Sequence, residues 1–258
     1  MDCLIEALKI PSIAYVGDKL TKKMFMELPD IGSADKRLIK ETVGTILLQY
    51  DVKEHTMHIP PFIDDTRAYR EILVIEVALK TVRKHTRLSQ LFHMLIPNPV
   101  ILVMSCEKAS IMTMAQKRKS LSDASKITVE DVLDTDWFYP DELSESQQAF
   151  VDDLDVTNLS YANLYQFYSD LEREILRYKL SQYTGIFTKD IFRAFDSDEL
   201  REKITTLEAI EVSLGDLKKK ISKETNFNGK MAINVEMGKL KKKKKKLIKK
   251  LTEDERAK

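Results

Sequence analysis

Ile72-Leu-Val-Ile-Glu-Val-Ala-Leu79 and Val100-Ile-Leu-Val-Met104, with Leu88 to Ile96 between them, decide the fold. The two outer stretches are apolar at successive positions and rich in β-branched residues, the pattern of strands covered on both faces. Leu88 to Ile96 has helical spacing and is stopped by Pro97. Strand, helix and strand in that order predict a crossover joining two parallel strands. Glu107-Lys-Ala109 then makes a short connection to Ile111-Met-Thr-Met-Ala115, read as a hairpin partner. Upstream, Ser33 is placed to cap a helix beginning Ala34-Asp-Lys36, with Asp35 in the first turn where the helix dipole favours an anion. Leu38, Ile39, Val43, Ile46 and Leu47 continue at helical spacing, although the later ones also suit a strand.

Proline divides the chain. All seven prolines of the 258 residues lie in the first 140, and because an interior proline costs a helix about 3 kcal/mol, the rest is free to form long helices. The expected fold is α+β or α/β. A mixed-sheet domain with a β-α-β unit (1–140) precedes a helical connector (141–192) and a coiled-coil-like helical hairpin arm (193–258). In the connector, Tyr161, Leu164, Tyr165, Tyr168, Leu171, Ile175 and Tyr178 form one aromatic-rich helical face, read as core rather than as a cofactor-stacking stripe. In the arm, Leu200, Ile204, Leu207, Ile210, Leu214, Leu217 and Ile221 recur every three or four residues, a narrow seam. Asn226 to Gly229 can turn the chain, and Phe227, Met231, Val235, Leu240, Leu247 and Leu251 suggest the returning helix.

Charge is distributed unevenly. Asp216 to Lys250 holds fourteen lysines against three acids, whereas Ile127 to Glu172 holds twelve acids and no Lys or Arg. Nine lysines fall within Lys239 to Lys250, including the run Lys241, Lys242, Lys243, Lys244, Lys245 and Lys246. These lysines, with Lys117 and Arg118, are the candidate contacts for DNA, RNA or an acidic protein partner. The absence of arginine and interleaved aromatics in the lysine-rich stretch speaks against base-specific readout. The competing reading is a solvated, partly frayed helix end.

Catalytic motifs are scarce. Seven scattered glycines supply neither a dinucleotide nor a P-loop phosphate cradle, and two cysteines make no disulfide framework or zinc ribbon. The N-terminus lacks the pattern of a signal peptide and no membrane span is expected, so the expected location is cytoplasmic. His55-x-x-His58 would need His93 or Asp64 to complete a metal site, and a loop without metal is the expectation. Cys106 reads as a packed thiol, and Trp137 as junction packing or a partner contact. Glu76 stands out, because a carboxylate inside an apolar strand is costly unless paired. With Asp64, Asp65, Lys80 and Lys117 it resembles the set of restriction-type nucleases, which use an Asp and a strand Glu-x-Lys around magnesium. Here, however, Ala78 stands in the lysine's place. The competing reading pairs Glu76 structurally with Lys36 or Lys117. A polar edge, Gln116-Lys-Arg-Lys119 followed by Asp123 and Lys126, is a further candidate binding edge. No cofactor is expected.

The order of several motifs resembles an uncharacterised bacterial domain-of-unknown-function family. They are Ser33-Ala-Asp-Lys36, Ile59-Pro-Pro61, Tyr69-x-Glu71 leading into Val74-Ile-Glu-Val77 and Leu79-Lys80, and Lys117-Arg118. Ser125-Lys-Ile127, Thr135-Asp-Trp137, the Tyr161-to-Tyr168 helix and Lys223-Glu-Thr-Asn-Phe-Asn228 with Asn234 follow, so the likeness runs from about Leu4 to Leu247. Members are often encoded beside DNA methyltransferases and helicases in restriction or antiphage clusters. The resemblance implies that setting and a helicase or methyltransferase as partner. With the seam of the arm and the lack of a convincing catalytic set, it leads to the expectation of a non-catalytic accessory or scaffold subunit that binds through its arm, with self-association through the arm as a further option. The alternative is a nuclease-like domain centred on Glu76, intact or degenerate, that binds or cleaves nucleic acid.

Overall fold

A computed structural model describes residues 2–29, 31–120 and 126–256. Asp123 and Ser125 lie outside the described residues. By internal packing the chain divides into two compact units, Met1–Ile175 and Leu176–Lys258.

The first unit begins with α1 (Cys3–Ala7), β1 (Tyr15–Leu20), α2 (Lys22–Met26), α3 (Ser33–Thr42) and β2 (Val43–Val52). A short α4 (Glu54–Met57) and the small pair β3 (Phe62–Ile63) and β4 (Ala68–Tyr69) lead into β5 (Ile72–Leu79), α5 (His85–Leu95) and β6 (Val100–Cys106). After β7 (Ala109–Met114) come β8 (Lys117–Lys119), β9 (Ile127–Val129), β10 (Leu133–Asp134) and α6 (Glu145–Asp153). Helix α7 (Leu164–Thr184) contributes to both units, and α8 (Ser197–Lys223) and α9 (Phe227–Arg256) complete the second.

Six strands form a mixed sheet in the order β1-β2-β5-β6-β7-β10. The decisive stretches behave as read: β5 and β6 are parallel with α5 between them, and β6 and β7 form an antiparallel hairpin turned by Glu107 and Lys108. One sheet face packs Ile75, Val77, Leu102 and Met104 against Leu38 and Ile39 of α3 and Leu88, Leu91 and Phe92 of α5. Side chains alternate along a strand, so Val74 and Val103 face the other way. They are fully buried there, on the side where α1 packs against β7 and α6. Strand β1 lies at the sheet's edge and is largely exposed, with a register shift between Tyr15 and Asp18 and Gly17 at φ +74°.

Two local readings need correction, and one left open is decided. Ser33 is the first residue of α3 rather than its cap. Gly32 takes the cap position with no side-chain hydrogen bond, whereas Asp35 lies in the first turn as expected and also ion-pairs with Arg87. The helical spacing from Leu38 to Leu47 breaks at Val43, where β-branched residues enter β2. Tyr161 precedes α7, whose buried residues from Leu164 to Tyr178 are core as expected.

In the second unit α8 and α9 pack together as a helical hairpin. The Asp196 side chain and Glu199 form a reciprocal capping box at the start of α8, and Lys220 and Lys223 sit in its last turn. Leu200, Ile204, Leu207, Ile210 and Leu217 are buried, whereas Leu214 and Ile221 are only half-buried. The returning helix is phased differently from the reading. Met237 and Leu251 are buried and Leu240 and Leu247 half-buried, but Phe227, Met231 and Val235 are 73%, 56% and 56% exposed. Thirteen residues at about 100° each put Leu240 about 220° away from Phe227, so the two sets cannot share a face. Uneven burial in α8 gives a test. Leu207→Ala should cost about 2–3 kcal/mol and Leu214→Ala under about 1.5, because only the former opens a closed cavity. Urea midpoints would show this, and equal losses at the two positions would contradict the packing described.

Candidate functional site

Glu76 sits between Ile75 and Val77, which belong to the α3/α5 core, so it points to the face beneath α1. Its register partners are Leu47 on β2 and Val103 on β6. The carboxylate accepts a hydrogen bond from Nε2 of the buried Gln49, not from Lys36 or Lys117. The Asp2 side chain accepts from the Leu4 amide at the start of α1. Burial raises the Asp2 carboxyl above its ordinary value, and the charge of Glu76 adds to the rise.

The rest of the nuclease-like set is not gathered around this carboxylate. Asp64 closes the β3–β4 turn, accepting from the Thr66 and Arg67 amides and the Thr66 hydroxyl, and these hydrogen bonds hold its carboxyl below the usual range. Asp65 is exposed beside it. The Lys80 amide donates to the Thr42 carbonyl past the end of β5, and Ala78 occupies the position where Glu-x-Lys would need its lysine. Among the described residues no group of three or more His, Cys, Asp or Glu is arranged to hold a metal ion.

Lys117 is not a surface cation. It is 2% exposed, and its ammonium donates to the Ile96 and Asn98 carbonyls in the α5–β6 connection, where burial lowers its pKa to about 7. His93 is completely buried nearby. Its Nε2 lies 3.1 Å from the Thr113 hydroxyl, to which Ser89 donates at 2.8 Å. Thr113 pairs with Leu102, and Leu102 belongs to the α5-side core. The Thr113–His93 pair therefore lies on the sheet face opposite Glu76. Desolvation first, then the Lys117 charge, brings His93 down to about 3. His55, on α4, and His58, in the left-handed conformation that ends it, are exposed and do not join His93.

The polar edge at β8 is tied internally. Arg67 donates to the Lys117 carbonyl and pairs with Glu130 at 2.9 Å, and its guanidinium lies over the Tyr165 ring. Arg118 is 4.0 Å from the same Glu130, and Lys119 donates to the Asp64 carbonyl. Behind them Tyr69 donates to Gln116, whose carboxamide donates to the buried Glu172. Cys106 is a buried free thiol whose pKa burial raises. Trp137 packs on the core with its ring edge-on to His85.

The lysine run lies on an unbroken helix, because α9 continues to Arg256. Lys244 alone among the six-lysine run turns inward far enough to pair with Glu211 on α8, and it lies over the Tyr183 ring. Lys241, Lys242, Lys243, Lys245 and Lys246 are exposed. Sequence reasoning missed Gln49 and Arg177. A glutamine in an apolar strand was a usable signal, but a helical arginine gave none.

Among the described residues no helix is long and apolar enough to cross a membrane. No curated protein and no solved structure matches the chain. The family described as "Domain of unknown function (DUF4391)" matches residues 8–247, and the chain belongs to it.

Proposed function

We propose that this chain is a non-catalytic accessory subunit of a bacterial DNA-modification or antiphage assembly, which docks a helicase or methyltransferase on its helical arm. The observation that carries the reading is the outward stripe of Phe227, Met231 and Val235 at the start of α9, left exposed although the same helix buries Met237 and Leu251. Steps of four residues keep the three on one side of the helix. Lys223 and Lys230 flank them and are exposed. A second arm carrying the same lysines would be repelled, so the partner surface that fits is apolar with an acidic rim. The gene-neighbourhood resemblance supplies the class of partner.

The test is co-expression with the methyltransferase or helicase encoded beside it. A stable complex is expected on size exclusion, lost in the double variant Phe227→Asp, Met231→Asp while the chain's own melting temperature stays unchanged. A complex that survives the double variant, or none with the wild type, overturns the reading. So does magnesium- or manganese-dependent cleavage of DNA or RNA by the pure chain, abolished by Glu76→Gln, which would favour the nuclease-like alternative instead.

A further inference from the structure

We infer that the outward face of α9 beyond Val235 binds the phosphate backbone of double-stranded nucleic acid without reading its sequence, a ligand separate from the protein partner at the helix start. At about 100° per residue, Lys239, Lys242, Lys246 and Lys249 fall within an arc of about 80°. Lys243, Lys245 and Lys250 lie at its margins. This arc is opposite the side on which Leu240, Leu247 and Leu251 pack. From Lys239 to Lys250 the helix rises about 17 Å. Lys239, Lys242, Lys243, Lys245 and Lys246 are exposed, and no ion pair to them occurs among the described residues. Lys249 makes an exposed i,i+4 pair with Glu253 at 3.3 Å, a contact of the kind worth only about 0.3–0.5 kcal/mol and readily exchanged.

Three features select the ligand. The lysines are held on a regular helix rather than a frayed tail, so their charge repeats along a straight line. Duplex nucleic acid presents about one charge per 1.7 Å of its axis, a repeat that meets such a line in any register. A protein surface would need carboxylates placed deliberately over three turns. A membrane surface fits less well, because an interfacial helix needs apolar side chains to bury between its cations, and the exposed Phe227, Met231 and Val235 all precede Lys239. Leu240, Leu247, Ile248 and Leu251 are instead half-buried or buried within the hairpin. With neither arginine nor aromatic residues on the arc, contact stops at the phosphates.

The experiment is fluorescence polarisation of the full chain with 30-base-pair DNA duplexes of two unrelated sequences, and with an RNA duplex of equal length, at several salt concentrations. Four or five neutralised phosphates predict a slope of log affinity on log salt of about −4, a loss of about 250-fold between 50 and 200 mM. The three duplexes should bind within a few-fold of one another. Changing Lys239, Lys242, Lys246 and Lys249 together to Gln should flatten the slope to near −1, with helicity retained because glutamine is a good helix former. Arginine at the same four positions should restore the slope. Lys244→Gln, at the inward-turned lysine, should leave it unchanged. No binding at 50 mM salt, a slope untouched by the four glutamines, or binding to phosphatidylserine vesicles but not to duplexes would overturn the inference. Phe227→Asp should not alter duplex binding, so the docking role and this one can fail separately.

Discussion

Arg177→Met should destabilise the second unit by about 2–3 kcal/mol and loosen the segment from Gly185 to Phe195. Arg177 is completely buried, yet it carries a charge. Its Nε donates to the Ile191 carbonyl at 2.6 Å, its Nη2 to the Thr188 and Lys189 carbonyls, and its guanidinium lies over the Phe187 ring. The segment is irregular, with Gly185 and Phe192 both at positive φ, and one planar fork of donors ties three of its carbonyls to α7. Methionine fills similar space but removes these bonds. The Thr188 carbonyl keeps the Ile191 amide and the Lys189 carbonyl keeps the Arg193 Nε, so the cost of about 1–3 kcal/mol for an unpaired acceptor falls chiefly on the Ile191 carbonyl. Phe187, Phe192 and Phe195 then lose the frame that keeps them buried. Lysine should recover less than half, since a point charge cannot span three acceptors in this geometry. Hydrogen exchange of the 186–195 amides, read beside the melting temperature, tests this. Unchanged protection in Arg177→Met would show that the aromatic side chains alone hold the segment.

The second large effect is a pH dependence. His93 is held neutral, with its pKa near 3 against an ordinary 6.5. The unfolded chain therefore takes up a proton that the folded chain refuses. Stability is unaffected by this group above about pH 6.5 and falls as pH drops below it. Between pH 6.5 and 4.5 the loss should be about 2.5 kcal/mol. Lys117 acts in the same direction at higher pH. Its folded value of about 7 lies below the ordinary 10.5, so stability should rise as pH climbs from 7 towards 10. Among the described residues, those that act on His93 are the Lys117 ammonium and the neutral hydroxyl of Thr113, which Ser89 in turn bonds, and no carboxylate is among them. His93→Gln should remove most of the slope between pH 6.5 and 4.5 in urea titrations. A variant that loses stability as steeply as the wild type would place the acid sensitivity elsewhere.

The sheet's centre was legible because its signal is redundant. Every residue of Val100 to Met104 is apolar, and no other element tolerates that run between a helix stop and a tight turn. The edge was not. Tyr15 to Leu20 is exposed over most of its length, so its residues carry no alternation of burial to read. Spacing alone singled out the five buried positions of α8 among its seven, but it did not fix the phase of α9. Phe227, Met231 and Val235 keep perfect helical spacing among themselves while facing away from the helix that α9 packs against. Periodicity reports that a face exists, not which way it points. Glu76 was rightly singled out as needing a partner, but Gln49 lies across a strand pair with two register shifts, which no count along the chain reproduces. Arg177 defeated the reading for another reason: charge ordinarily marks the wet side of a helix, and here it marks the driest point.

The irregular edge strand also bears on how the molecule behaves when crowded. An open sheet edge is a template for another chain, and intermolecular strand addition is the first step towards aggregates. At β1 the left-handed Gly17 and the register shift beside it spoil the even row of amides and carbonyls that an incoming strand would need. Asp18 and Lys19, both charged, stand next to that break. A residue with a β-carbon at position 17 would strike the Tyr15 ring, at 2.5 Å from its hydroxyl. The kink thus depends on position 17 having no side chain. At this edge the fold protects itself by being a poor partner for strand addition.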